Sequence, residues 1–135
     1  MASALRCIVV TPESTALEQD AEFVVLPLFD GEMGVALNHS PMIGRLGFGE
    51  LRIRESSSKT VRYYIDGGFV QVADNTVAIL TNRAVSASTI TEEAARKLLS
   101  EAQEKPIQTG EQETAKNLAI DQARAQLRVA KNARM

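Results

Sequence analysis

Only one cysteine and one histidine occur among the 135 residues. Cys7 therefore has no partner for an intrachain disulfide, and with His39 it cannot complete a zinc-ligand set or a nucleophile, base and orienting group. Long hydrophobic runs are equally absent. Nothing approaches the roughly 20 consecutive apolar residues with which a helix crosses a bilayer. The opening Met1-Ala-Ser-Ala-Leu-Arg6 has neither the charged nor the apolar segment of a signal peptide, so the chain is expected to stay where it is made. A large charge of either sign is missing too. The formal net charge of −2 creates no global attraction to nucleic acid, and none is expected as a partner.

What is present is the composition of a folded protein, 44% apolar and 24% charged, with enough length for one core or a small domain with an appended unit. Cys7 sits within the apolar stretch Leu5 to Val10 and reads as a small buried hydrophobe.

Up to about residue 86 the apolar pattern is short, alternating and often interrupted, as half-buried antiparallel strands require. Strands are expected at Leu5–Val10, Glu22–Leu28, Gly34–Ala36, Leu51–Glu55, Val61–Ile65, Phe69–Val72 and Val77–Thr81. Leu51 and Ile53 alternate with Arg52 and Arg54, so one face of that strand is wet. Asp74-Asn75 has the composition of a two-residue hairpin turn, and Gly67-Gly68 marks a bend or bulge. Gly44-Arg-Leu-Gly47-Phe-Gly49 holds its glycines in the reverse of the dinucleotide-binding spacing and reads as turn geometry. The sum is an all-β sandwich or flattened barrel.

After Ser88 the period changes. Ala94, Ala95, Leu98, Leu99 and Ala102 mark one face of a helix starting near residue 92, capped by Thr89 or Thr91. Pro106 and Gly110 interrupt it, and Thr109 with Gln112 opens a second helix whose apolar face is Ala115, Ala119, Ala123 and Ala130 with Leu118 and Leu127. The chain thus divides into a β-sandwich over 1–88 and an antiparallel α-helical hairpin over 89–135. With few large apolar side chains, the hairpin is expected to be marginal alone and to need a docking surface, which suits an element that switches.

Charge is distributed unevenly along the chain. Residues 1–88 carry 7 basic against 10 acidic side chains, and residues 89–135 carry 8 against 7. Arg124, Arg128, Lys131 and Arg134 form a basic end without an intervening acid, either a solvated complement to the helix dipole or a partner surface. His39 lies in the turn-forming Leu37-Asn-His-Ser-Pro41 and reads as a surface-loop residue. No catalytic residue, cofactor site or metal site is expected.

Three segments together resemble the epsilon subunit of F-type ATP synthases: Asp30-Gly-Glu-Met-Gly-Val-Ala-Leu-Asn-His-Ser-Pro41 with Gly49-Glu-Leu-Arg-Ile53, then Tyr64-Ile-Asp-Gly-Gly-Phe-Val-Gln-Val72 with Val77-Ala-Ile-Leu80, and finally Ala125-Gln-Leu-Arg-Val129. The resemblance implies a non-catalytic rotor subunit of a proton-translocating enzyme. Its sandwich would bind the gamma stalk subunit and rest on the membrane rotor ring, and its hairpin would inhibit ATP hydrolysis by reaching the alpha and beta catalytic-core subunits. It also implies a peripheral location on the cytoplasmic face of a bacterial plasma membrane or the stromal face of a thylakoid. By position, Glu32 and His39 match turns facing the ring, and Arg124, Arg128 and Lys131 match residues meeting an acidic segment of the beta subunit.

Some members of that family bind ATP through an Ile/Leu-Asp-x-x-Arg-Ala motif opening the first helix. Here the position reads Ile90-Thr-Glu-Glu-Ala-Ala95, without the aspartate or the arginine, so regulatory ATP is not expected. Ile120-Asp-Gln-Ala-Arg-Ala125 fits the string but falls in the middle of the second helix, where no backbone N–H is free for phosphate. The alternative to a rotor subunit is a free-standing β-sandwich that binds a ligand or peptide. A concave apolar pocket would favour that module, and a continuous exposed apolar patch on the sandwich would favour a permanent protein interface.

Overall fold

A computed structural model of the chain describes residues 4–132. The chain divides into two compact units between Ser86 and Ala87. The first is a β-sandwich of eight strands: β1 (Leu5–Val10), β2 (Thr15–Ala21), β3 (Phe23–Leu28), β4 (Gly31–Ala36), β5 (Met42–Ser56), β6 (Lys59–Ala73), β7 (Thr76–Leu80) and β8 (Ala84–Ser86). They form one hydrogen-bonded ladder in the order β2-β1-β7-β6-β5-β3-β4, with β8 beside β6.

The ladder folds into two layers because the 15-residue strands β5 and β6 belong to both. The second half of β6 pairs with β7 and its first half with β8. The bend lies at Gly67 and Gly68, with φ of +73° and +107°, and pairing continues in register across it from Leu46↔Gly68 to Phe48↔Asp66. It is a bend and not a bulge. Folding brings edge strand β2 back to β5, where Gln19 Nε2 donates to Glu55 Oε1 at 2.7 Å. Between the layers lie Leu5, Cys7, Val9, Val24, Leu26, Leu51, Ile53, Ile65, Val70, Val72, Val77 and Ile79, all buried.

Four expectations for this unit change. The segment Gly44 to Gly49 is the interior of β5 and not a turn. Its glycines admit close neighbours: a Cβ on Gly47 would lie 3.1 Å from Phe29 Cα, and one on Gly49 2.9 Å from Pro27 Cβ. The strands foreseen at 61–65 and 69–72 are one strand, since glycine bends the ladder without ending it. Thr15–Ala21 and Ala84–Ser86 are strands that the apolar pattern does not reveal. Thr15-Ala-Leu-Glu-Gln-Asp-Ala21 is mostly wet, held by its ladder to β1, and three residues are too few for any period to show. Finally, the Gly-Glu-x-Gly segment runs along β4, so Glu32 stands on a strand.

The Asp74-Asn75 hairpin forms as its composition requires, with both residues at positive φ and Ala73 paired to Thr76.

The second unit holds a 3-10 turn at Ala87–Thr89 and two helices, α1 (Glu92–Glu104) and α2 (Gly110–Asn132). Thr91 is the cap of α1, its hydroxyl accepting from Ala94 N at 3.2 Å. Glu92 and Glu93 complement the helix dipole, and Pro106 follows the last turn. Thr109 Oγ1 accepts from Gln112 N at 3.1 Å, while the Gln112 side chain reaches back to Gln108 N at 2.7 Å. This is the capping box one residue longer than its usual form.

Ala130 near the end of α2 lies beside Ile90, Thr91 and Arg96 at the start of α1, so the pair is an antiparallel hairpin. The expected α2 face is only partly right. Ala123, Ala125, Val129 and Ala130 are buried, whereas Ala115 and Leu118 are exposed. Apolar packing is concentrated in the last third of the helix.

Candidate functional interfaces

Cys7 is fully buried, and loss of solvation pushes its thiol up to about 12. At pH 8 a thiol reagent should therefore label it at least about a hundredfold more slowly in the folded chain than in denaturant, since the thiol is both shielded and hard to ionise. Equal rates would place the thiol at the surface. By linkage, this group contributes stability below about pH 9 that is lost as pH rises toward 12.

His39 stands half-buried in the loop after β4, its Nδ1 2.7 Å from Ser40 O and its backbone N donating to Ala36 O at 3.3 Å. The loop is fixed by its neighbour. Asn38, at φ +65°, donates its N–H to Asn75 Oδ1 at 2.6 Å. The loop thereby abuts the β6–β7 turn.

Glu32 lies near the opposite end of β4. At about 3.3 Å per residue, Glu32 and Ala36, the last strand residue before the His39 loop, are about 13 Å apart. The structure therefore does not bring Glu32 and His39 into one site. Glu32 instead meets Arg52, which donates Nη1 to Glu32 Oε2 at 2.8 Å and Nη2 to Glu32 Oε1 at 3.3 Å. Nη1 also reaches Glu50 Oε1 at 3.3 Å. The Glu32 hydrogen bond above all pushes the Arg52 pKa up. Local sequence marks Arg52 as a wet-face residue within a family string and cannot announce its partner, since a pairing between β4 and β5 across β3 is invisible to a local pattern.

The largest feature missed from sequence is apolar and outward-facing. Phe69 on β6 stands directly opposite Leu80 on β7, and the two are 60% and 56% exposed. Leu80 in turn pairs with Val10 on β1, and Arg45 on β5 faces Phe69 on the other side. Ile43, two residues before Arg45, is 77% exposed, and Phe29 carries the Arg45 guanidinium 5.7 Å from its ring centre. An open groove of about 770 Å³ runs between Val10, Arg45, Phe69 and Leu80. A signal was present: Phe69-Val70 and Ile79-Leu80 place apolar groups on both faces of their strands, which a one-sided sheet does not need.

On α2, Arg124, Arg128 and Lys131 are spaced four and three apart, within about 60° of one another around the helix. All three are exposed, and none makes an ion pair with another described residue. Arg134, the fourth member of the basic end, lies outside the described residues. Asp121 and Arg124 of the ATP-like string lie in the interior of α2. At the start of α1, a groove of about 710 Å³ is flanked by Glu92, Glu93 and an Arg96 paired to Glu92 at 2.8 Å. Among the described residues no group of three or more His, Cys, Asp or Glu is placed to hold a metal ion.

Comparison with known proteins agrees with this architecture. Residues 4–87 match the family model described as ATP synthase, Delta/Epsilon chain, beta-sandwich domain. The chain is 48% identical over 127 residues to an ATP synthase epsilon chain of Rhodopirellula baltica, covering 94% of this chain and 98% of that one. It is 38% identical over 109 residues to that of Rubrobacter xylanophilus, covering 81% and 74%. In fold it is similar to a chain in the structure of the Euglena gracilis mitochondrial ATP synthase, OSCP/F1/c-ring, with a TM-score of 0.83, 24% identity and coverage of 97% of this chain and 83% of that one.

Proposed function

The chain belongs to the ATP synthase epsilon-chain family, and from that premise we propose that it is a non-catalytic central-stalk subunit that couples the catalytic core to the membrane rotor ring and restrains ATP hydrolysis. The observation that carries this reading is the outward row of Val10, Leu80 and Phe69 on three neighbouring strands, with the exposed Ile43 on the next strand. A chain that worked alone would not expose neighbouring large apolar groups on adjoining strands, whereas one permanently held by another subunit covers them. The patch is the surface for the gamma stalk subunit. Its groove is open and continuous with the patch, which favours a protein partner over the alternative of a ligand-binding module.

Glu32 and His39 meet the rotor ring as two separate contacts, since Glu32 lies near the start of β4 and His39 in the loop after its end. The sandwich carries assembly and the hairpin carries regulation. The stripe of Arg124, Arg128 and Lys131 fits an acidic segment of the beta subunit, and such exposed pairs are screened beyond about 8 Å at physiological ionic strength. Inhibition should therefore weaken as salt rises. Regulatory ATP is not part of the proposal, because acidic side chains flank the start of α1 and its Thr91 hydroxyl is already used as a cap. No described helix is long and apolar enough to cross a membrane, and the chain reaches the membrane through the ring.

The test uses complexes reconstituted with the full chain, with a truncation ending at residue 86, and with the triple Arg124, Arg128, Lys131→Ala variant. The truncation should assemble and release hydrolysis several-fold, and the triple variant should recover most of that release. Equal hydrolysis by all three removes the inhibitory role, and a truncation that fails to assemble removes the division of labour.

A further inference from the structure

Glu50 is the one glutamate of the sandwich that is buried, at 6% exposure, and it lies on the outward side of β5 with Arg52 and Arg54 rather than among the core residues. Its Oε1 has a single long hydrogen bond, 3.3 Å from Arg52 Nη1. Its Oε2 is buried and has no partner among the described residues. A carboxylate removed from water with one oxygen unsatisfied is a costly arrangement that a native fold keeps only where something compensates.

The compensating group is close but already engaged. Arg52 serves both carboxylates unequally, giving Nη1 and Nη2 to the two oxygens of Glu32 and only a longer, shared Nη1 bond to Glu50. Yet the same Nη1 that bonds Glu32 at 2.8 Å lies within hydrogen-bond reach of Glu50. Because Nη1 is already shared between the two, turning the fork toward Glu50 starts from an existing contact. The two acceptors differ in access: the Glu32 side chain is 55% exposed and open to a partner, and that of Glu50, at 4%, is not.

We propose that Arg52 is an exchangeable counter-ion, which masks Glu32 in the free chain and passes to Glu50 when a cationic group of a partner takes the Glu32 carboxylate. The exchange lets a partner cation replace Arg52 without stranding a positive charge, and it completes the unsatisfied Glu50 at the same moment. Arg52 is thus a positioning residue for the Glu32 contact. The proposal rests on Glu32 meeting a partner, but the exchange is a property of this chain and can be read without one.

The experiment compares the full chain with E32A, E50Q and the double variant. In the crystal structure of E32A, which imitates the engaged state by withdrawing the outer acceptor, the Arg52 fork should bond both oxygens of Glu50. E50Q should lower Tm by several degrees more in the E32A background than in the parent, because Glu50 then holds Arg52 alone. Arg52 turned to solvent in E32A, or the same Tm loss from E50Q in both backgrounds, overturns the proposal. The E32A structure decides the point even where E50Q does not fold. Because no partner is present, failure here leaves the ring contact of Glu32 standing, and that contact is tested separately by assembly of the E32A chain.

Discussion

Gly68→Ala is expected to destabilise the sandwich by more than about 4 kcal/mol, the range reached only by the most disruptive single substitutions. Gly68 sits at φ +107°, where L side chains are strained by on the order of 1–3 kcal/mol. The larger effect is steric. A Cβ built there would fall 1.9 Å from Leu80 O and 2.9 Å from Leu80 C and Thr81 Cα, all backbone atoms that cannot rotate aside. Relief requires moving β7 away from β6, which opens the ladder where Phe69 pairs with Leu80 and disturbs the buried Val70 and Ile79. For a domain of this size the loss should appear as a fall in Tm of more than about 15 °C. Gly110→Ala is the control, since nothing lies within 4 Å of its Cβ position and its φ is ordinary. It should be neutral or stabilising by up to about 1 kcal/mol, as alanine for glycine in a helix. Gly68→Ala within about 1 kcal/mol of the parent would show that β6 does not bend at this residue.

The second large effect concerns assembly. Phe69→Glu with Leu80→Glu should weaken binding to the gamma stalk subunit by at least about 100-fold, the loss expected when central apolar anchors of an interface are removed. The residues stand directly opposite on antiparallel strands, so the variant places two like charges face to face in the middle of the patch. In the free chain both carboxylates are solvated, and folding should be little disturbed because Phe69 and Leu80 point away from the core. Association would strip that water from two adjacent carboxylates, beside which the described strands place Arg45 opposite position 69. Pull-down or calorimetry with the stalk subunit, alongside a thermal melt, separates the cases. A folded double variant that binds like the parent would move the stalk interface elsewhere and leave the patch without a role.

These two predictions draw on features of different legibility. Leu5–Val10 was readable to the residue, because alternation with a buried face is a local property of six consecutive side chains. The Asp74-Asn75 turn, the Thr109 cap and the break at Pro106 were readable for the same reason, whereas local sequence left the first cap between Thr89 and Thr91 and marked as a break Gly110, which opens α2. Each is decided by backbone preferences within about four residues. The family resemblance also lay in short ordered strings.

Only the tertiary structure decided how distant strands meet. It carried β5 and β6 through their glycines as single bent strands, paired β1 with β7 in parallel, and held Thr15–Ala21 in a ladder that its own wet sequence does not announce. It set Glu32 against Arg52 across 20 positions of sequence and left Glu50 with an unpartnered oxygen. It also moved His39 away from Glu32 and joined Val10, Phe69 and Leu80 into one face. The reason is physical: a local pattern reports which side of an element is apolar, whereas register, bend and pairing determine which sides come together, and those are set by contacts between residues far apart in the chain.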